Sequence, residues 1–344
     1  RSKLDTKEVV WDHQLDTDMK LLEEMNLEDA WENWKLVRNS GIGPWAPPNY
    51  IRSRLFSQHL KRYVTIGLGI SGIAGFSNNM PQDSSNPLLA AGPAFASAEF
   101  LQIAPTISYA LSDRLSIGVA PTVTTGKLVL DPLGPSVITP TPTPGSGNRM
   151  HWGGGFQVGA FYAPNPCWQF GFTYKSKQWF ETFNFFTPNG MVRFDLDYPM
   201  ILSLGTAYTG LEKWTFAVDA RYLDFENADG FRDLGFSSVA AFAFGVQYEV
   251  CDWMKLRAGY NFNANPIQDD DVFTNVITPL IQDQNVATGF SVRLAEHVDF
   301  HAAYVYLVEN EVTGPLPSNP FGPNATLSNT LSAHSGILGI SVKY

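Results

Sequence analysis

Along most of this chain every second residue is large and apolar, and the links between such segments are short and long by turns. Phe242, Phe244, Val246, Tyr248 and Val250 oppose Ala241, Ala243, Gly245, Gln247 and Glu249. In the next segment Met254, Leu256, Ala258, Tyr260 and Phe262 oppose Lys255, Arg257, Gly259 and Asn261. Trp214, Phe216, Val218, Ala220 and Tyr222 oppose Thr215, Ala217, Asp219 and Arg221. The chain ends in the same way: Gly336, Leu338, Ile340, Val342 and Tyr344 share one face, and Ser335, Ile337, Gly339, Ser341 and Lys343 share the other. A period of two is the signature of β-strands with chemically different faces.

Periodicity alone does not say which face is wet, because a soluble sandwich also alternates. The connections decide it. LSDR (111–114), APNP (163–166), TGLEK (209–213), VCD (250–252) and AEH (295–297) are short, and the links between them, 130–148, 178–190, 227–239, 263–286 and 309–333, are long. Sorting of this kind belongs to an up-and-down barrel in an outer membrane, with tight periplasmic turns and long external loops. Trp168, Trp214 and Trp253 follow short turns, where an interfacial girdle sits, and Tyr174, Tyr208, Tyr222 and Tyr304 lie further along the oily faces. The expectation is that bulky side chains meet lipid and small or ionic ones line a lumen.

Composition agrees. With 44% hydrophobic residues, 29 Gly, 24 Phe, 13 Tyr and 9 Trp, the chain favours strands and turns over helices. A net charge of −10 leaves no basic face for nucleic acid. No apolar run is long enough for a membrane-spanning helix. Two cysteines, Cys167 and Cys251, sit in different short turns, too far apart to bridge.

Twelve strands are expected near 62–76, 99–110, 114–129, 149–163, 167–177, 191–209, 214–226, 240–250, 253–262, 286–295, 298–308 and 334–344. NYIRSRLFS (49–57), followed by the link QHLK, reads as a thirteenth, and KEVVW (7–11) as the candidate fourteenth, since single-chain bacterial barrels have even strand numbers. Residues 18–38 carry Leu27, Ala30, Trp31 and Trp34 at helical spacing, a helix in the first external loop that either covers a ligand entrance or docks on the rim. TPTPTPG (139–145) is a stiff spacer. The fold class is all-β, a transmembrane antiparallel up-and-down β-barrel. It divides into residues 1–60, a first-strand remnant with the helical loop and a weak second strand, and 61–344, the main barrel.

Several stretches together resemble the FadL family of outer-membrane transporters for long-chain fatty acids and other hydrophobic compounds. They are WAPPN (45–49) ahead of VTIGLGISGIAGF (64–76), and WGGGFQVGAFYAPNPCWQFGFTYKSK (152–177). FGVQYEVCDWMKLRAGYNFNANPIQDD (244–270) and VDFHAAYVYLVENEV (298–312) follow in the same order. The resemblance implies a fourteen-stranded barrel in the bacterial outer membrane, an N-terminal hatch in the lumen, and a kink in the third strand that opens a side exit into the bilayer. The hatch, with its Asn-Pro-Ala signature, is not found, and the chain, which starts at Arg1, is expected to begin inside the first strand. The kink would fall between Gly67 and Gly75, where Gly67, Gly69, Gly72 and Gly75 either permit a bulge or fit the wall's curvature. The terminal Tyr344 resembles the signal by which barrels are recognised by the barrel-assembly machinery.

A carboxylate-bearing lipid needs one or two cations in an otherwise apolar pocket. Lumen-facing candidates are Arg221, Lys255, Arg257 and Arg293, unless they simply pair with Asp219, Glu249 and Asp299 on the same face. Phe161 and Leu307, with Phe183 and Phe185 in an external loop, line an apolar path or fill space. Catalytic residues, metal ligands and cofactors are not expected. His151, His297, His301 and His334 are scattered, no nucleophile motif occurs, and Asp269, Asp270 and Asp271 read as a solvated acidic run rather than a calcium site. The function expected is passive uptake of hydrophobic small molecules, fatty acids or aromatic hydrocarbons, with lateral exit among membrane lipids. The alternative is a barrel of this family that acts as a protein-docking or secretion partner; an enzyme is not expected.

Overall fold

The computed structural model describes residues 58–61, 64–84, 89, 92–133, 149–316 and 324–342. The expected strands at 7–11 and 49–57, the helix within 18–38, the spacer at 139–145 and Tyr344 lie outside the described residues.

Sixteen strands follow one another along the described chain: β1 (Gln58–Lys61), β2 (Val64–Met80), β3 (Ala94–Ser112), β4 (Leu115–Asp131), β5 (His151–Asn165), β6 (Trp168–Lys175), β7 (Trp179–Phe180), β8 (Phe183–Thr187), β9 (Gly190–Phe194), β10 (Met200–Leu211), β11 (Trp214–Asp224), β12 (Val239–Cys251), β13 (Met254–Asn263), β14 (Gln284–Ala295), β15 (Val298–Pro315) and β16 (Thr326–Val342). Every barrel strand pairs antiparallel with the next, in the order β1 to β6 and then β10 to β16. The chain is an antiparallel up-and-down barrel whose described ladder runs through thirteen consecutive strands, with β7 attached to β5.

The faces fall as the alternation requires. Phe242, Phe244, Leu256, Tyr260, Phe262, Phe216 and Val218 are exposed on the outside, whereas Thr215, Asp219, Gln247, Arg257 and Asn261 on the same strands are buried. In water such an outer face would be an aggregation surface; in a bilayer it is the solvated one. Aromatic pairs mark the periplasmic rim, Trp168 against Tyr208 at 4.7 Å and Trp214 against Tyr248 at 4.6 Å between ring centroids. On β5 the outward Trp152 and Tyr162 are ten residues apart. At about 3.3 Å per residue and a tilt of about 40°, that spans about 25 Å, the height of an apolar band in such barrels.

Three expectations change. The link expected at 309–333 is mostly strand, because β15 runs on to Pro315 and β16 starts at Thr326 rather than at 334. QHLK, read as a link, is itself strand β1, paired with β2 through Gln58↔Ile66. The single strand expected at 191–209 is two. Residues Gly190–Phe194 fold back on Phe183–Thr187 as a separate hairpin, and the sheet resumes at Met200. Pro199 stands between them and has no N–H for a ladder.

Three irregularities gather on one side of the wall. In β2 the register with β3 shifts between Gly72 and Ala74, making Ile73 a bulge inside the glycine-rich stretch. Between β6 and β7 the chain leaves β5 at Ser176, where the Phe156 N–H donates to Ser176 Oγ at 2.9 Å. The third lies between β3 and β4. Pairing holds at Ile103↔Val123 and again at Ile107↔Val119, but not at the three rungs between. The unchanged register sets Pro105 opposite Pro121. In an antiparallel narrow pair both ladder bonds come from the two facing N–H groups, and neither proline has one. The outer neighbours are intact, since Pro105 still pairs with Leu68 of β2 and Pro121 with Phe156 of β5.

A polar floor beneath an apolar external half

The inside of the barrel is divided by height. Strands that leave a short turn run outward and return from a long loop, so the lower numbers of β4, β6, β11, β13 and β15 lie near the periplasm. The external half is filled by an apolar cluster. Ala96, Ala98 and Phe100 of β3 and Leu128 and Leu130 of β4 meet Phe183 and Phe185 of β8, Phe194 of β9, and Leu196 and Tyr198. Phe225, Phe231 and Phe236 of the β11–β12 loop join it, with Ile267, Val272, Leu280 and Ile281 of the β13–β14 loop. The three phenylalanines pack at 5.0–5.7 Å between centroids. The wall makes room for this cluster with glycine: a Cβ at Gly126 would stand 2.7 Å from the Phe100 ring, and one at Gly153 would stand 2.7 Å from the Phe180 ring.

Below that cluster the lumen is polar. Arg257 Nε donates to Gln247 Oε1 at 2.7 Å, its other arm reaches Ser291 Oγ, and Ser291 contacts His301, whose Nε2 lies 3.0 Å from Ser341 Oγ. This hydrogen-bonded belt crosses five strands, β12 to β16. Lower still, Lys255 Nζ lies 3.1 Å from Glu249 and Arg293 Nε lies 3.6 Å from Asp299. Arg257 is buried and Arg293 stands half in solvent. Lys255 and Arg293 thus have carboxylate partners; Arg257 bonds to Gln247 and Ser291, and Arg221 is half-buried on the lumen side of β11. Phe161 is buried on the lumen face of β5 and Leu307 half-buried on that of β15, so the candidates encircle the lumen without converging on one point. Phe183 and Phe185, expected in a loop, form the buried side of the β8–β9 hairpin, each 1% exposed. His301 is drawn into the belt; Cys167 and Cys251 are free thiols.

Where the storeys meet lie three residues that the strand pattern did not single out. Lys175, 1% exposed, ends β6 and holds its ammonium 5.2 Å from the centre of the Tyr198 ring. The Tyr198 hydroxyl donates to the carbonyl of the bulged Ile73 at 3.2 Å. Gln178 reaches across β5: its Oε1 accepts from Thr122 at 2.6 Å, Gln102 at 3.0 Å and Thr124 at 3.1 Å, and its Nε2 donates to Ser176 O at 2.8 Å. Gly155 permits that crossing, because a Cβ there would lie 2.5 Å from Gln178 Nε2. Gln178 and Tyr198 also exchange backbone bonds of 2.9 and 3.1 Å, which close the base of the β8–β9 hairpin. At the external rim, burial first and the neighbouring charge of Asp270 second raise the Asp271 carboxyl above its usual range.

The profile of the outer membrane protein transport family (OMPP1/FadL/TodX) matches residues 56–344. The chain belongs to this family. Solved structures agree on the fold. A Pseudomonas aeruginosa FadL homologue superposes with a TM-score of 0.62 at 14% identity, covering 84% of this chain and 77% of that one. The Pseudomonas putida toluene transporter TodX gives 0.57 at 15% identity, covering 83% and 80%. The Ralstonia pickettii toluene transporter TbuX gives 0.53 at 13%, covering 84% and 79%. A comparison with curated proteins finds no match. This FadL-family chain is therefore an outer-membrane β-barrel of a transport family, with its oily belt in the bilayer and its long loops outside.

Proposed function

We propose that this FadL-family barrel passes hydrophobic compounds, long-chain fatty acids or aromatic hydrocarbons, from the external side into the bilayer through the barrel wall. The observation that carries this reading is the division of the lumen. An apolar solute that parts the buried cluster of Phe183, Phe185, Phe194, Phe225 and Ile281 exchanges one apolar contact for another, and below it meets the Gln247–Arg257–Ser291–His301 belt, where burying an alkyl or aryl group breaks hydrogen bonds without replacing them. Moving down is unfavourable; moving sideways reaches hydrocarbon. The toluene transporters among the matched structures make small aromatics one candidate class. For a fatty acid, Arg257 is the cation that a carboxylate would approach, with Arg221, Lys255 and Arg293 as further partners and Phe161 and Leu307 as wall contacts. Recognition by the barrel-assembly machinery is assigned to Tyr344, and the outer belt to membrane lipids.

The docking alternative draws on paired ions in the lumen. Lys255–Glu249 and Arg293–Asp299 are such pairs, but both lie near the periplasmic mouth, away from the loops a partner protein would meet. Deletion of the gene, followed by growth on oleate and on aromatic hydrocarbons as sole carbon sources, tests the reading. Slower growth at limiting concentration on at least one of them is expected; unchanged growth across the panel would remove the transport claim.

A further inference from the structure

Among the described residues, the β3–β4 seam lacks backbone bonds because of the residues that face each other there. β3 and β4 are zipped from Phe95↔Asp131 down to Ile103↔Val123 and from Ile107↔Val119 to the turn, and between these the opposed Pro105 and Pro121 supply no donor. Both prolines face outward and are exposed, in the apolar band between the rims. In hydrocarbon nothing else replaces those bonds, so β3 and β4 part here at less cost than where their own ladder is intact. The glycine-rich β2 is zipped along its β3 side. Its bulge at Ile73 keeps the ladder with β3 intact on both sides, Gly72↔Leu101 and Ala74↔Phe100, and the bulged carbonyl is taken by Tyr198.

On the lumen side two side-chain links cross the seam in and just external to the gap: Gln102 Nε2 donates directly to Thr124 Oγ1 at 3.2 Å, and Gln178 bridges the same two strands. Gln178 Oε1 accepts from Gln102 on β3 and from Thr122 and Thr124 on β4, so both banks of the seam are tied to the same oxygen. Gln178 belongs to the base of the β8–β9 hairpin, whose Phe183 and Phe185 sit in the apolar cluster.

We propose that an apolar ligand leaves the lumen through the β3–β4 seam at Pro105 and Pro121, and that Gln178 is the staple that holds this seam shut. The proposal rests on the transport reading above and gives its exit a place. A ligand wedged among the aromatics of the hairpin displaces Gln178 from Thr122 and Gln102; the seam then opens towards lipid at the level where its ladder is already broken.

The test is a reversible lock in a full-length background carrying Cys167→Ser and Cys251→Ser. Ala104→Cys with Thr122→Cys sets a thiol on each bank, inside the gap; Ala217→Cys with Gly245→Cys gives the same lock in the intact β11–β12 ladder. Entry of labelled toluene and labelled oleate into expressing cells is measured oxidised and reduced. Oxidation of the seam pair should slow uptake about tenfold and reductant should restore it, because bridged strands cannot part, whereas the β11–β12 lock should change little. Undiminished uptake by an oxidised seam pair, its disulfide confirmed on a gel, overturns the portal and leaves the transport reading intact. Pro105→Val with Pro121→Val, which restores both donors, should slow uptake and raise the temperature at which the folded band converts on heating; faster or unchanged uptake counts against the portal. Should the cysteine-free parent admit no more of either probe than empty-vector cells, the transport reading itself fails and the portal with it.

Discussion

Tyr198 donates its hydroxyl to the carbonyl of Ile73, 125 residues earlier in the chain, and so ties the base of the external hairpin to the bulge in β2. The phenol is 7% exposed, so no bulk water replaces it when it is removed. Tyr198→Phe keeps the ring packing against Phe100, at 6.3 Å, and loses only that bond. The expected cost is about 1–2 kcal/mol for leaving a buried carbonyl without a donor, read as a lower denaturant midpoint for the barrel refolded in liposomes. An unchanged midpoint would mean that the bulge carbonyl finds another partner.

Gly155 is a sharper case, because the space over it is already taken. A methyl there meets Gln178 Nε2 and Ser176 Oγ at 2.5 Å and Lys177 O at 2.8 Å. Gly155→Ala should cost about 1–3 kcal/mol by overpacking and displace the staple. Gly92→Ala, with nothing within 4 Å, should be near neutral. The two are compared by denaturant midpoint and by proteolysis of the β6–β10 connection; equal stability of the pair would contradict the crossing.

The lipid-facing side is tested by charge. Phe244 and Gln247 lie on opposite faces of β12, 49% and 2% exposed. Phe244→Arg should cost about 2–4 kcal/mol near the middle of the bilayer, measured by unfolding from liposomes. Replacing Tyr248 at the rim with Arg should cost less, about 0–1 kcal/mol. Similar costs at the two heights would argue against the assigned membrane level.

Arg257 and Lys255 separate carboxylate recognition from simple lumen chemistry. Lys255→Met breaks a partly exposed pair and should cost no more than about 1 kcal/mol. Arg257→Met removes charge-assisted bonds to Gln247 and Ser291 and should cost about 2–3 kcal/mol. If Arg257 meets a carboxylate, its loss also slows oleate uptake while leaving toluene uptake near the parental rate; equal effects on both would assign it a structural role alone.

What could be read from the residues and what could not divides along physical lines. Alternation and link length report on strand, face and side of the membrane, since each depends on local sequence; the exposed Phe242, Phe244 and Phe262 and the buried Gln247 and Arg257 follow from parity alone. The β8–β9 hairpin escaped because 191–209 continues to alternate across Pro199, and only that proline signals the break. Parity on β6, counted from Gln169 through Thr173, also sets Lys175 inward, but its placement over Tyr198 depends on a loop folding back from higher up. The Pro105–Pro121 pairing was within reach: the two lie at almost equal distances from the Asp113–Arg114 turn, and the register of a tight hairpin then makes them partners. The apolar cluster was not, because it joins residues from Ile73 to Val312 that no local pattern links.

The most direct measurement is the initial rate at which labelled toluene and labelled oleate enter cells that lack other channels of this type, with and without this chain in their outer membrane. The account predicts faster accumulation of at least one apolar probe with the chain present, and no gain for a polar solute of similar size, which finds no matching surface in the external half. Rates for both apolar probes that are the same with and without the chain, or a gain for the polar solute instead, would contradict it.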